Sequence, residues 1–81
     1  MASHSRKRLK KWACPNPEKC DLCGKPIGDF FIDGAVGQGG PWGCLCPSCH
    51  DEEGIGLGVG SGQFYWRVGN QFYLIAGGFG Q

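Results

Sequence analysis

The apolar and polar positions divide the chain into an N-terminal stretch, a cysteine-bearing middle and a β-rich end. Up to residue 19 the sequence is polar and basic with isolated apolar residues, and Cys14-Pro15-Asn16-Pro17 forbids a regular helix there. Ser5 to Trp12 could form a turn or two of helix but is too short to hold one alone, so order is expected only if Trp12 docks on the body. Phe30-Phe31-Ile32-Asp33 lies between Gly28 and Gly34 and predicts a strand that turns at Asp33-Gly34. Gly37-Gln38-Gly39-Gly40-Pro41 then reads as a loop and Trp42-Gly43-Cys44-Leu45 as the returning strand. Pro47 to Glu53 predicts a short helix, with proline in its first turn, acidic residues near the start and Gly54 as the stop.

Glycine alternates with mostly aliphatic residues from Gly54 to Gly62. No third glycine completes a G-x-G-x-x-G, and no Gly-Lys-Ser/Thr follows, so a phosphate loop is not expected. The expected structure is a turn-rich linker or bulged strand whose glycines allow close backbone approach, with Ile55, Leu57 and Val59 pointing inward. Residues 63–68 and 71–76 are two runs of β-formers joined by Gly69-Asn70, which suits a tight primed turn. This β-hairpin should pair Trp66 with Tyr73 and Phe64 with Ile75 on one face, and Arg67 with Phe72 and Tyr65 with Leu74 on the other. One of its faces is expected to cover the cysteine-bearing half, and the other to be a contact surface.

Eighty-one residues allow one domain, close to the size at which a hydrophobic core alone becomes insufficient. Doubly wound sheets, barrels and two-domain clefts are excluded on length. Sixteen glycines and five prolines approach compositions that do not fold, but 41% hydrophobic residues are too many for a disordered tail, so a staple is expected. No apolar core of a signal peptide follows the basic start and no apolar run is long enough to span a bilayer, so the expected site of action is the cytoplasm, without membrane contact. The net charge of +1 conceals an asymmetry. Arg6, Lys7, Arg8, Lys10 and Lys11 hold five of the eight basic residues, whereas all seven acidic residues follow Trp12. The chain therefore reads as a basic flexible arm, residues 1–19, on a single acidic domain, residues 20–81.

The staple is expected at Cys20-Asp21-Leu22-Cys23 and Cys46-Pro47-Ser48-Cys49, two C-x2-C pairs 22 residues apart. Zinc takes four thiolates at the corners of a tetrahedron, and each C-x2-C converges two of them from one tight turn. In a reducing compartment paired cysteines more often hold a metal than each other. The expected cofactor is thus Zn2+ on Cys20, Cys23, Cys46 and Cys49. A redox C-x2-C, iron in place of zinc and disulfides in an exported chain are the alternatives. Cys44 could replace Cys46 as ligand, and Cys14, Cys44 and His50, with distant His4, could form part of a second site.

With these ligands placed, residues 20–50 resemble a treble clef: a zinc knuckle, a β-hairpin, then a helix carrying the second cysteine pair. The resemblance implies a small α+β zinc-bound domain, followed here by the C-terminal β-hairpin. More narrowly, residues 20–27 and 45–50 look like the zinc frame of HNH endonucleases. The chain is also similar to small C-x2-C proteins of bacteriophages, in which segments like Phe31 to Gly34, Gly40 to Trp42, Cys46 to His50 and Gly60 to Tyr65 follow one another. The HNH pattern requires an Asp-His pair in the hairpin, but Asp33 is followed by Gly34 and no histidine occurs between His4 and His50. One histidine cannot both hold a catalytic metal and activate water. The expectation is therefore a non-catalytic phage-type module that binds, and regulates or inhibits, a host or virion protein through Tyr65, Trp66, Arg67, Phe72 and Tyr73. The alternatives are DNA or RNA binding through Arg6, Lys7, Arg8, Lys10 and Lys11, and a minimal nuclease.

Overall fold

The computed structural model describes residues 10–78. Arg6, Lys7 and Arg8 lie outside the described residues. The elements are β1 (Phe30–Ala35), β2 (Trp42–Leu45), α1 (Pro47–Glu53), β3 (Gly62–Val68) and β4 (Gln71–Ala76). Together they make an α+β domain with one antiparallel sheet in the order β2-β1-β3-β4. Among the described residues no helix is long and apolar enough to cross a membrane.

The first hairpin forms where its apolar pattern places it, with one correction. β1 does not turn at Asp33-Gly34 but runs on to Ala35, because Gly34 pairs with Gly43 and with Gly62 as a continuous ladder residue. A second correction concerns the C-terminal hairpin, which does not stack over the cysteine-bearing half. Its first strand instead adds to the free edge of β1, Phe31 opposite Tyr65 and Phe30 opposite Trp66, so the backbone groups of that edge are satisfied within the sheet. The β3–β4 register is the expected one for Tyr65, Trp66 and Arg67, but a bulge between Phe64 and Tyr65 sets Phe64 against Ala76 rather than Ile75.

Strand alternation sorts the side chains between the two faces. One carries Phe31, Tyr65, Phe72 and Leu74, which form the core. Phe31 is fully buried, stacking on Tyr65 at 5.1 Å between ring centres and meeting Phe72 edge-on at 4.7 Å. Residues 10–19, expected as part of a flexible arm, are docked here. The Trp12 amide donates to Phe72 O and the Leu74 amide to Lys10 O, so this segment lines the outer edge of β4. The Trp12 ring covers Phe31 and Tyr65, edge-on at 5.0 and 5.1 Å. The other face carries Ile32 and Leu45, both buried, and α1 packs against β1 and β2 on that side.

The glycine-rich segment behaves as expected in backbone but not in side chains. Leu57 and Val59 are exposed rather than inward. Gly56, Gly58 and Gly60 adopt positive φ, which winds the segment into tight turns and leaves few inward positions. Its close approach is at Gly62, where a Cβ would meet Gly56 O at 2.9 Å and both His50 Nε2 and Ile32 Cγ2 at 3.2 Å. The helix also departs from expectation in one detail: its acidic residues fall after the first turn, so they gain nothing from the helix dipole.

Three substitutions test this packing. Phe31→Ala is expected to cost about 3–5 kcal/mol, the usual result of emptying a buried aromatic site. Gly62→Ala should destabilise clearly, because backbone rather than a flexible side-chain tip blocks the new methyl, while Gly28→Ala, with open space around it, should change little. Thermal unfolding followed by circular dichroism measures all three.

Candidate metal centre

Cys20 and Cys23 sit on a tight turn in which the Gly24 amide donates to Cys20 O and the Cys20 amide to Lys25 O, both at 2.9 Å. Gly24 takes φ +76°, a conformation that a side chain would strain. The second pair is built differently. Cys46 ends the extended chain after β2 and caps α1, Pro47 opens the helix, and Cys49 follows in its first turn. The Sγ atoms of Cys20, Cys23, Cys46 and Cys49 all lie within 4.8 Å of one another.

This geometry fits a metal ion. A tetrahedron with about 2.3 Å from metal to sulfur has edges of about 3.8 Å, and Cys23 and Cys46 Sγ are 3.8 Å apart. Every described cysteine is a free thiol, so the closeness of the four does not come from disulfides. Cys44 is not among the four, which leaves Cys46 as the ligand of the second pair. Cys14, Cys44 and His50 form no cluster of metal-ligating groups among the described residues.

The electrostatics carry the same message. Burial pushes the Cys20 thiol up, but amides of Cys23, Cys46 and Leu22 and the Cys49 thiol favour its anion and bring it down to about 6. The Leu22 amide is 3.4 Å from its sulfur. Cys49 is pushed the other way, to about 12, by burial, by its hydrogen bonds to Cys46, Cys23 and Cys20, and by the Cys20 charge. The cluster thus holds one thiolate readily and resists further charge until a cation is present. Metal binding must displace the remaining protons.

Asp21 is the positioning residue that sequence reasoning passed over. Its amide donates to Cys44 O at 2.9 Å, and its Oδ2 accepts from the Cys44 amide at 2.8 Å. The knuckle is thereby fixed along the outer edge of β2, facing Cys46 across the site. Its carboxylate lies over Gly43, where a Cβ would meet Asp21 Oδ2 at 2.9 Å, a contact with no mark in the knuckle's own sequence. Neighbouring Cys44 is packed against the core and its thiol is pushed up to about 11 by burial and by Asp33, Asp21 and Cys14.

His50, expected on a helix face or supporting the ligands, holds the glycine-rich segment. Its Nε2 donates to Gly56 O at 2.9 Å, and its ring packs against Gly54 and Gly62. Of the residues expected to contact a protein, Tyr65 and Phe72 are 5% and 1% exposed and belong to the core. The correction follows from alternation, since both point at Trp12 and Phe31. Arg67 is half-exposed, pairs with Asp29 at 3.2 Å and lies over the Phe72 ring. Trp66 and Tyr73 lie on the opposite face. Lys10 and Lys11 are exposed.

No protein-family model, no curated protein and no solved structure matches this chain.

Three outcomes follow for the isolated protein. Replacing any of the four cluster cysteines by serine should abolish stoichiometric metal, whereas Cys14→Ser should retain it; elemental analysis distinguishes them. Asp21→Ala should weaken metal affinity by roughly tenfold, the lower range for loss of a group that orients ligands. Affinity should fall on acidification, because Cys49 already has a proton to lose at neutral pH, and more steeply below about pH 6, where Cys20 also becomes protonated. A Co2+ titration followed by its thiolate charge-transfer absorption reads both changes.

Proposed function

We propose that this chain is a structural zinc module of treble-clef type that works by binding a macromolecular partner and does no chemistry of its own. The observation that carries the reading is the convergence of four cysteine sulfurs within 4.8 Å. An all-sulfur tetrahedral set suits zinc or iron, and the chain's small core gives a closed structural site a clear purpose. The order of elements supports the treble-clef reading: a cysteine turn, the β1–β2 hairpin, then α1 with the second pair.

His50 supports the non-catalytic part of the proposal. Its Nε2 is engaged with Gly56 O, and Gly54 and Gly62 enclose its ring, so activating a water would require it to release the segment it holds. The resemblance to phage C-x2-C proteins belongs to the same proposal. It would make the partner a host or viral macromolecule in the cytoplasm of an infected cell, with regulation or inhibition as the effect of binding.

The purified protein should contain one equivalent of zinc and lack the colour of an iron–thiolate centre. Chelation should collapse its dispersed NMR spectrum, since structural zinc contributes about 10 kcal/mol or more to such folds. Plasmid incubated with Mg2+, Mn2+ or Zn2+ should remain intact. Stoichiometric iron would replace the metal assignment, and cleavage abolished by His50→Ala would replace the binding module with a nuclease.

A further inference from the structure

The register of the sheet places one row of side chains that the metal centre does not use. Phe30 pairs with Trp66, Trp66 with Tyr73, and Tyr73 with Lys11. Directly paired residues share a face, and Trp12, the next residue, packs on the core side, so Lys11 belongs on the outer side with Tyr73. The row Phe30–Trp66–Tyr73–Lys11 therefore crosses the exposed face from β1 past β4. With strands about 4.8 Å apart it is about 14 Å long.

This face is open among the described residues. The helix packs on β1 and β2 and touches β3 at its first residue, Gly62, through the His50 ring, away from the aromatic row. Phe30 and Trp66 are 40% and 41% exposed, and Val68 beside them is exposed too. Phe64 lies diagonally behind Phe30, ring centres 5.6 Å apart, and widens the aromatic surface.

Charge selects the occupant. The row ends at exposed Lys11, which in the sequence closes the most basic run of the chain. Three of the seven acidic residues, Asp51, Glu52 and Glu53, lie at the far side. The α1 C-terminus, with Glu53 O accepting from the Gly37 amide, adjoins the Ala35 end of β1, opposite the Phe30 end. Asp29, next to Phe30, is paired with Arg67. Flat rings in series with cations at one end match a chain of alternating flat bases and anionic phosphates. An acidic peptide would use the lysine but not the rings, and a basic one would be repelled by the arm.

We propose that the outer sheet face binds single-stranded nucleic acid, with bases stacked on Trp66, Tyr73 and Phe30 and phosphate drawn to Lys11 at the end of the row. A row of this length accommodates about two or three bases. Duplex is disfavoured because its bases already stack on one another and are not free to lie on the rings. The proposal deepens the binding-module reading and rests on it.

The test is fluorescence anisotropy of labelled oligo-dT and oligo-U of about 15 nucleotides, and of a duplex of the same length, with zinc-loaded full-length protein. Both single strands, or one of them, should bind more tightly than duplex, with an affinity that falls as salt rises. Trp66→Ala and Tyr73→Ala should each weaken binding by roughly 5- to 100-fold with the salt slope retained, and Trp66→Phe should restore most of the loss. Lys11→Ser should instead flatten the salt slope, by about 0.7. Zinc content and NMR dispersion are measured on every variant. Loss of either in the parent protein refutes the module itself, whereas a folded, metal-loaded protein that ignores single strands refutes only this assignment. Binding indifferent to Trp66→Ala and Tyr73→Ala, equal affinity for duplex, or a protein ligand that protects Trp66 and Tyr73 where oligonucleotides do not would likewise overturn it.

Discussion

Four sulfur atoms within 4.8 Å of one another set an electrostatic condition on the whole chain. The local amides stabilise one thiolate, at Cys20, and that charge opposes a second at Cys49. A divalent cation bound there would turn this mutual opposition into attraction, and the free energy released would help fold a chain whose core is a handful of side chains. The helix shows the dependence most clearly. Seven residues are too few to stand alone, and none of them is buried. What keeps it in place is its capping and first-turn cysteines at one end and the contacts of His50 at the other.

From that anchor the sheet divides its duties between its faces. The inner one is closed by Trp12, Ile27 and Cys44 over Phe31, Tyr65, Phe72 and Leu74. On the outer one the helix covers β1 and β2 and reaches β3 at Gly62 through the His50 ring. Phe30 and Trp66, at the other end of that face, stay exposed to solvent.

Local chemistry was legible in the sequence wherever a residue type dictates a conformation. Pro47 and Gly54 bracketed the helix, Gly69-Asn70 marked the second hairpin, and the paired cysteines identified the cluster that the structure brings together. Long-range choices were not. Nothing in the β-formers of residues 63–68 says whether that strand lies over the first hairpin or beside it; an unpaired β1 edge decides this, and it exists only after the first hairpin has formed. The same holds for Tyr65 and Phe72, which look like surface aromatics until alternation and the docking of Trp12 put them inside. The bulge at Phe64 and the role of Asp21 both depend on a partner strand, so neither has a signature in its own segment.

The outermost strands of a small antiparallel sheet ordinarily invite other chains to extend it. Here β2 is bordered by the Asp21 turn, and β4 by residues 10–12 through the Trp12 and Leu74 amides. The N-terminal segment is therefore a guard against self-assembly as well as a lid on the core. Proteolysis just after Trp12 would bare a ladder of unpaired amides and a greasy pocket together, and the trimmed product would be prone to fibrillar aggregation even with the four cysteines still gathered.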